Sequence, residues 1–217
     1  RDEQHLPDEI ALPRNFRSML AEDQSLKARL LERHYYEKGH SGMPLKTEAD
    51  WRRCVANYWG LCSLVDSSVG AILATLEECG LMDNTIIVYT SDHGDMMGSH
   101  HLLAKCLMFE EAVKVPLLVK MPGQSASRNV RGRVSQVDLV PTLLECLGQP
   151  VPDTLQGTSR MALLEQSGSA ETTEDVFVEW NGPNNGLRDQ LGKADIPEWM
   201  TGMASRERIE VAMVDSV

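Results

Sequence analysis

The densest run of reactive side chains is Ser91-Asp92-His93-Gly94-Asp95, followed by Ser99-His100-His101 and then Lys105. A carboxylate and an imidazole on neighbouring residues can turn toward one point where a strand frays, and together they suit a divalent cation without selecting one metal. Two ligands do not complete a coordination sphere, so further ligands must come from elsewhere. His100 and His101 would offer a zinc-like His/His/Asp set, although neighbouring histidines on a loop are more often simply solvated. Lys105 is a compact cation that could neutralise an anionic ester or a leaving oxygen beside a metal. Gly94 and Gly98 let the loop backbone approach a ligand closely. Met96-Met97 and Leu102-Leu103 read as core contacts.

The elements around this cluster must hold it. Thr85 to Thr90 is β-branched and apolar on both faces, which predicts a strand buried from both sides in an α/β sheet. The reactive run begins where that strand ends, and ligands of open α/β sheets bind beyond the carboxyl ends of strands. A second such strand is predicted over Val115 to Lys120, with a short helix near Met108 to Val113. Before them, apolar residues recur in steps of three and four from Trp51 through Val55, Tyr58, Leu61, Val65, Val69, Ile72 and Leu76. That spacing predicts one long helix from about Glu48 to Cys79 with a buried stripe, capped by Thr47 and ended at Gly80. A charged segment, 21–38, has helical character, and 1–20 reads as a Pro-punctuated extended arm. A helix is predicted over Val137 to Leu147, a short helical patch within 148–174, and a strand over Val176 to Trp180. Residues 181–206 read as irregular, and the alternating run from Arg208 to Val217 as a strand.

Composition sets outer bounds. With 217 residues, 42% of them hydrophobic, the chain can bury a sizeable core. A formal charge of -11 and no basic stripe exclude nucleic acid as an expected partner. No stretch approaches the apolar length of a transmembrane helix, and no signal peptide is visible, so the compartment stays open. The five cysteines form no CxxC pair, which argues against a disulfide framework or a thiolate zinc site. Four of them fall in apolar or helical runs and read as small core residues.

The run Thr90-Ser91-Asp92-His93-Gly94-Asp95-Met96-Met97-Gly98-Ser99-His100, then Lys105, Phe109-Glu110-Glu111 and Val115-Pro116-Leu117-Leu118, resembles the second metal-binding segment of the sulfatase family. That family includes arylsulfatases, choline sulfatases and phosphonate monoester hydrolases, within the alkaline phosphatase superfamily. Val65-Asp66 through Asp83-Asn84-Thr85, Gln136 to Leu144, and Asp153 to Ser159 are similar to the family's flanking elements, and Pro7-Asp8 with Leu12-Pro13 to its linker. The resemblance implies an alkaline-phosphatase-like α/β fold, a mixed and largely parallel sheet flanked by helices, incomplete in this chain. Residues 1–180 would be a carboxy-proximal part of the catalytic domain, and 181–217 would lead to a small carboxy-terminal subdomain.

The resemblance also implies that Asp92 and His93 bind one divalent cation, calcium or manganese, and that Lys105 contacts the sulfate or leaving oxygen. Asp95, Glu110 and Glu111 would hold the loop. The expected activity is hydrolysis of a small-molecule or saccharide sulfate ester, with a phosphonate or phosphate ester hydrolase, or a non-catalytic metal-binding relative, as alternatives. The family nucleophile is formylglycine made from Cys or Ser in Cys/Ser-x-Pro-x-Arg. None of the five cysteines, nor any serine, is followed by that pattern, so the formylglycine, the family's other aspartates and its mid-chain His and Lys are expected upstream of Arg1, and the piece alone is expected to be inactive. His101 stands where the family has Gly.

Overall fold

A computed structural model describes residues 7–18, 20, 24–105, 107–165, 171–172, 175–180 and 210–213. The described residues fall into two compact units. The first draws on Arg1–Met82, Tyr89–Leu117 and Trp180–Glu210, and the second on Asp83–Val88, Leu118–Glu179 and Val211–Val217. Helices and short strands alternate: α1 (Leu26–Lys38), α2 (Glu48–Glu78), β1 (Ile87–Thr90), α3 (Glu110–Val113), β2 (Leu117–Lys120), β3 (Arg131–Gly132), α4 (Leu139–Cys146), α5 (Met161–Glu165), β4 (Glu171–Thr172), β5 (Phe177–Trp180) and β6 (Glu210–Met213). The incomplete sheet takes the form of two-stranded pieces, β1 with β2, β3 with β4, and β5 with β6. The β3–β4 pair is parallel, with Arg131 opposite Glu171. The predicted irregular segment 181–206 lies outside the described residues.

α2 begins as predicted. The Thr47 hydroxyl accepts from the Asp50 N–H, and the Asp50 carboxylate accepts from the Thr47 N–H at 2.9 Å, a reciprocal capping box. Its end is a Schellman motif: Gly80, at φ 66°, donates to Glu77 O and Leu81 donates to Leu76 O, both at 2.9 Å. The expected buried stripe is not observed. Only Trp51, Cys54, Val55 and Ala56 are buried, whereas Tyr58, Leu61, Val65 and Ile72 are exposed. β1 and β2, read as buried on both faces, are half-buried to exposed. The physical reason is shared: an apolar pattern records what a face can bury, and among the described residues no layer covers these faces.

α2 is also long and apolar enough, by length and composition alone, to cross a bilayer. This corrects the expectation that no stretch approaches transmembrane length: Gly60, Ser63, Ser67, Ser68 and Gly70, interspersed through the helix, disguise its apolar length. Among the described cysteines, Cys54 is a core residue, Cys62 and Cys79 are exposed and Cys146 is half-buried. Helical side chains past the packed turns face outward, so helical placement alone did not bury them.

The core of the first unit gathers Phe16, Ala28, Leu31, Tyr35, Leu45 and Trp51 with Met96, Leu102, Leu103, Leu107 and Ala112. The arm, α1, the start of α2 and the reactive loop therefore share one apolar cluster. Two polar atoms are satisfied within it: Trp51 Nε1 donates to Leu45 O at 3.1 Å, and the Tyr35 hydroxyl to Leu103 O at 3.3 Å. Arg52 also donates to Ile10 O, tying the arm to α2.

In the second unit, Asp138 is only 3% exposed. Its carboxylate accepts from Arg160 Nε and from the Thr158 N–H, both at 2.8 Å. The Thr142 hydroxyl accepts from the Arg160 N–H at 2.9 Å, fastening the 155–160 loop to α4. The same loop needs Gly157, where a Cβ would lie 2.0 Å from Val137 O.

Candidate metal and anion site

β1 ends at Thr90, and the next three residues build a small, locally bonded turn. The Ser91 hydroxyl donates to His93 O at 2.8 Å. Asp92 Oδ1 accepts from the His93 N–H at 3.0 Å, which leaves Oδ2 turned toward the imidazole. His93 Nδ1 lies 2.7 Å from Gly94 O. A carbonyl only accepts, so Nδ1 carries the proton and Nε2 is the free ring nitrogen of the neutral form. That Nε2 faces Asp92 Oδ2 at 3.3 Å.

Two acceptors brought this close repel each other unless positive charge is shared between them, either an imidazolium proton or a cation. Two ligands in cis positions on one ion, with bonds of about 2.3 Å, would be separated by roughly 3.3 Å. The donor set and its spacing therefore fit a divalent cation. The Asp92 side chain is 83% exposed and so open to a ligand. Slight desolvation acts upward on its carboxyl. The His93 charge, the N–H groups of His93 and Asp92 and the Ser91 hydroxyl outweigh it and hold the group below the usual carboxylate range.

The turn rests on α3. Gly94 donates to Ala112 O at 2.8 Å, and a Cβ on Gly94 would lie 1.9 Å from Glu111 O. Only glycine fits this approach of two backbones.

Residues 95–104 form a loop closed at its neck. Asp95 Oδ1 accepts from the Met97 and Ala104 N–H groups, both at 3.0 Å, and the Met96 N–H donates to Ala104 O at 2.9 Å. Met97, His100, His101 and Ala104 all have positive φ. Each left-handed non-glycine residue costs roughly 1–2 kcal/mol. Burial of Met96, Leu102, Leu103 and Leu107 offsets that cost, since full burial of each such side chain contributes about 1.5–3 kcal/mol.

Both histidines of this loop serve packing. His100 Nδ1 donates to Ser18 O at 3.1 Å, its Nε2 accepts from Asn15 Nδ2 at 3.2 Å, and its ring stacks on Phe109. His101 packs edge-on against Phe16 at 4.4 Å, with Nδ1 3.7 Å from Glu32 Oε1. The zinc-like His/His/Asp set is thus not assembled. Among the described residues no group of three or more His, Cys, Asp or Glu side chains is placed to hold a metal.

The structure brings Asp92 and His93 together. Lys105 is exposed, directly after the loop neck, and makes no hydrogen bond or ion pair with either of them. Glu110 lies 3.8 Å from Lys114 on its own helix. Glu111 accepts from Asn15 Nδ2 at 2.7 Å, so Asn15 bridges His100 and α3. Nothing in the sequence near Asn15 signals that role, because its partners lie 85 and 96 positions away.

Comparison with known proteins identifies the family and the fold. The sequence model of the sulfatase family matches residues 15–149. Arylsulfatase K of Bos taurus is 36% identical over 137 residues, covering 63% of this chain and 25% of the relative. The multifunctional alkaline phosphatase superfamily protein PehA of Trinickia caryophylli is 34% identical over 136 residues, covering 62% and 26%. The chain therefore spans about a quarter of the length of these relatives. Among solved structures, a phosphonate monoester hydrolase from Silicibacter pomeroyi superposes with a TM-score of 0.66 at 26% identity, covering 82% of this chain and 36% of that one. A protein solved with its substrate D-glucosamine-2-N,6-O-disulfate superposes at 0.58 with 32% identity, covering 64% and 29%. These neighbours carry the α/β fold expected from the sequence.

Proposed function

Because this chain belongs to the sulfatase family of hydrolases, we propose that it supplies the Asp92–His93–Lys105 side of the active site of a metal-dependent sulfuric ester hydrolase. The observation that carries the reading is the convergence of Asp92 Oδ2 and His93 Nε2 at 3.3 Å, with Nδ1 committed to Gly94 O. A bound calcium or manganese ion would supply Lewis-acid charge for an ester oxygen. Asp92 contributes a carboxylate whose Oδ2 is turned toward His93 Nε2 while Oδ1 accepts from the His93 N–H. His93 contributes a ring nitrogen whose tautomer and direction are set by Gly94 O. Lys105 contributes a compact ammonium donor suited to an anionic ester or a departing oxygen. No Cys or Ser here precedes x-Pro-x-Arg, so the reading assigns to these residues the cation and the leaving group. The formylglycine nucleophile belongs to sequence outside these residues.

Saccharide sulfate esters are the substrate class favoured by the neighbour solved with a disulfated glucosamine. A second reading, a phosphonate or phosphate ester hydrolase, draws on the phosphonate monoester hydrolase neighbour; the same three residues serve either chemistry. The ratio of activities on sulfate and phosphonate esters separates the two. A non-catalytic relative would bind the cation and hydrolyse neither.

Manganese titration followed by nuclear magnetic resonance tests the site itself. Mn2+ should broaden the amides of Asp92, His93 and Gly94 at a saturable site, and Asp92→Asn and His93→Ala should each abolish the effect. Parent-like broadening in both variants would remove these residues from the metal site.

A further inference from the structure

We propose that Asp95 is a positioning residue that brings Lys105 to the Asp92–His93 pair, acting through backbone N–H groups and not through contact with a ligand. The inference rests on the functional reading above and extends it to a residue that touches neither cation nor ester. Lys105 follows His93 by twelve positions, so its approach to the pair is decided by how the intervening loop closes. The closure is made at one place. Asp95 Oδ1 accepts from the Ala104 N–H at 3.0 Å, and the Met96 N–H donates to Ala104 O at 2.9 Å. The residue before Lys105 is thereby fixed to the residue two places after His93.

A single carboxylate oxygen also takes the Met97 N–H at 3.0 Å. Oδ1 thus holds both the first turn of the loop and its exit. Ala104 leaves the neck at φ 61°, a left-handed setting that redirects the chain at the residue before Lys105 and that non-glycine residues keep only when neighbours over-determine it. Leu102 and Leu103, both buried, anchor the returning strand of the loop from the other side. The apolar anchors fix where the loop sits, and Asp95 fixes the direction in which Lys105 departs.

The chemistry of the bonds predicts which substitution is tolerated. Both N–H groups need an acceptor at one position, and the negative charge is not required for either. Asparagine keeps a carbonyl oxygen there, whereas alanine removes it.

The test uses the same 217-residue chain with Mn2+ as a paramagnetic probe. In the parent, bound Mn2+ should relax both the Gly94 amide and the Lys105 side-chain methylenes, an effect that falls steeply with distance. In Asp95→Ala the Lys105 effect should be lost while Gly94 stays broadened at the same Mn2+ concentration. Asp95→Asn should restore it. If Asp95→Ala fails to fold, Asp95→Ser takes its place, since its shorter hydroxyl still meets the Met97 N–H as a local turn acceptor but loses the reach to Ala104.

Unchanged relaxation of Lys105 in Asp95→Ala, or no relaxation of Lys105 in a parent whose Gly94 is broadened, would overturn the proposal. A parent in which Mn2+ leaves Gly94 untouched sinks the metal reading by itself. The neck is then judged by amide exchange at Ala104, which should be slow in the parent and in Asp95→Asn and fast in Asp95→Ala. Fast exchange in the parent would refute the role given to Asp95.

Discussion

Replacing Gly94 by alanine is the sharpest test of how the fold holds the ligand pair. The added Cβ would sit 1.9 Å from Glu111 O and 2.9 Å from its carbonyl carbon. An ordinary carbon contact is about 3.5 Å, so the two backbones must separate by roughly 1.5 Å. Such a shift breaks the Gly94–Ala112 hydrogen bond of 2.8 Å, a net loss of about 0.5–1.5 kcal/mol. Displacing packed backbone adds about 1–3 kcal/mol of strain. The sum, roughly 2–4 kcal/mol, corresponds to a fall in Tm of about 5–15 °C for a chain of this length. The same movement drags Gly94 O away from His93 Nδ1, so Mn2+ affinity should weaken alongside stability. Urea unfolding gives the first quantity and Mn2+ titration of the folded variant the second. A Gly94→Ala protein with parental midpoint and parental Mn2+ affinity would refute both the packing account and its link to the ligand pair.

Three other expectations concern separate parts of the molecule. Asp138→Ala removes the carboxylate that accepts from Arg160 Nε, a pair whose side chains are 5% and 17% exposed; removing one partner of a buried pair costs about 3–5 kcal/mol, read as a lower urea midpoint at unchanged slope, whereas a loss below about 1 kcal/mol, the scale of surface pairs, would show that the pair behaves as a surface one. The Asp50 carboxyl is held below the usual carboxylate range by hydrogen bonds from the Thr47 N–H and hydroxyl, against a small desolvation effect. Its folded-state pKa is depressed, so its contribution is present above the unfolded value and lost as pH falls through the folded one; the first turn of α2 should fray in acid, and an Asp50→Asn variant with the parent's acid profile would contradict this. In the complete protein, Lys105→Ala should leave cation content normal and cut turnover of sulfate esters with poor leaving groups, and unchanged turnover there would count against the leaving-group role.

Local rules were readable from the sequence wherever the determining atoms lie close together along it. Thr47 and Asp50 encode the start of α2 within four residues, and Gly80 encodes its end. Asp92 and His93 are adjacent, and their bonds to Ser91 and Gly94 never leave the turn, so their convergence was legible as well. The burial of α2 and β1 was not legible, because the pattern of Tyr58, Leu61, Val65 and Ile72 states a capacity to be covered and is silent about the cover. The fate of His100 and His101 was equally hidden: it depends on Asn15, Ser18, Phe16 and Glu32, which reach the loop only through the tertiary fold. Asp95 was recognisable as a loop-holding residue, but that one of its oxygens serves both ends of the loop required the coordinates.

The two ligands and the lysine differ in how soon they can be in place as the chain folds. Asp92 and His93 meet through bonds spanning one or two residues, so their encounter carries almost no loop-closure entropy. The neck between Asp95 and Ala104 encloses a loop whose closure costs of order 2 kcal/mol before any contact rewards it. It also waits for Met96, Leu102 and Leu103 to find Trp51 and Tyr35 from distant parts of the chain. The ligand pair is therefore a fast, local event and the approach of Lys105 a late, cooperative one. On the proposed reading, a nascent or partly unfolded chain would hold the cation before Lys105 could approach an ester.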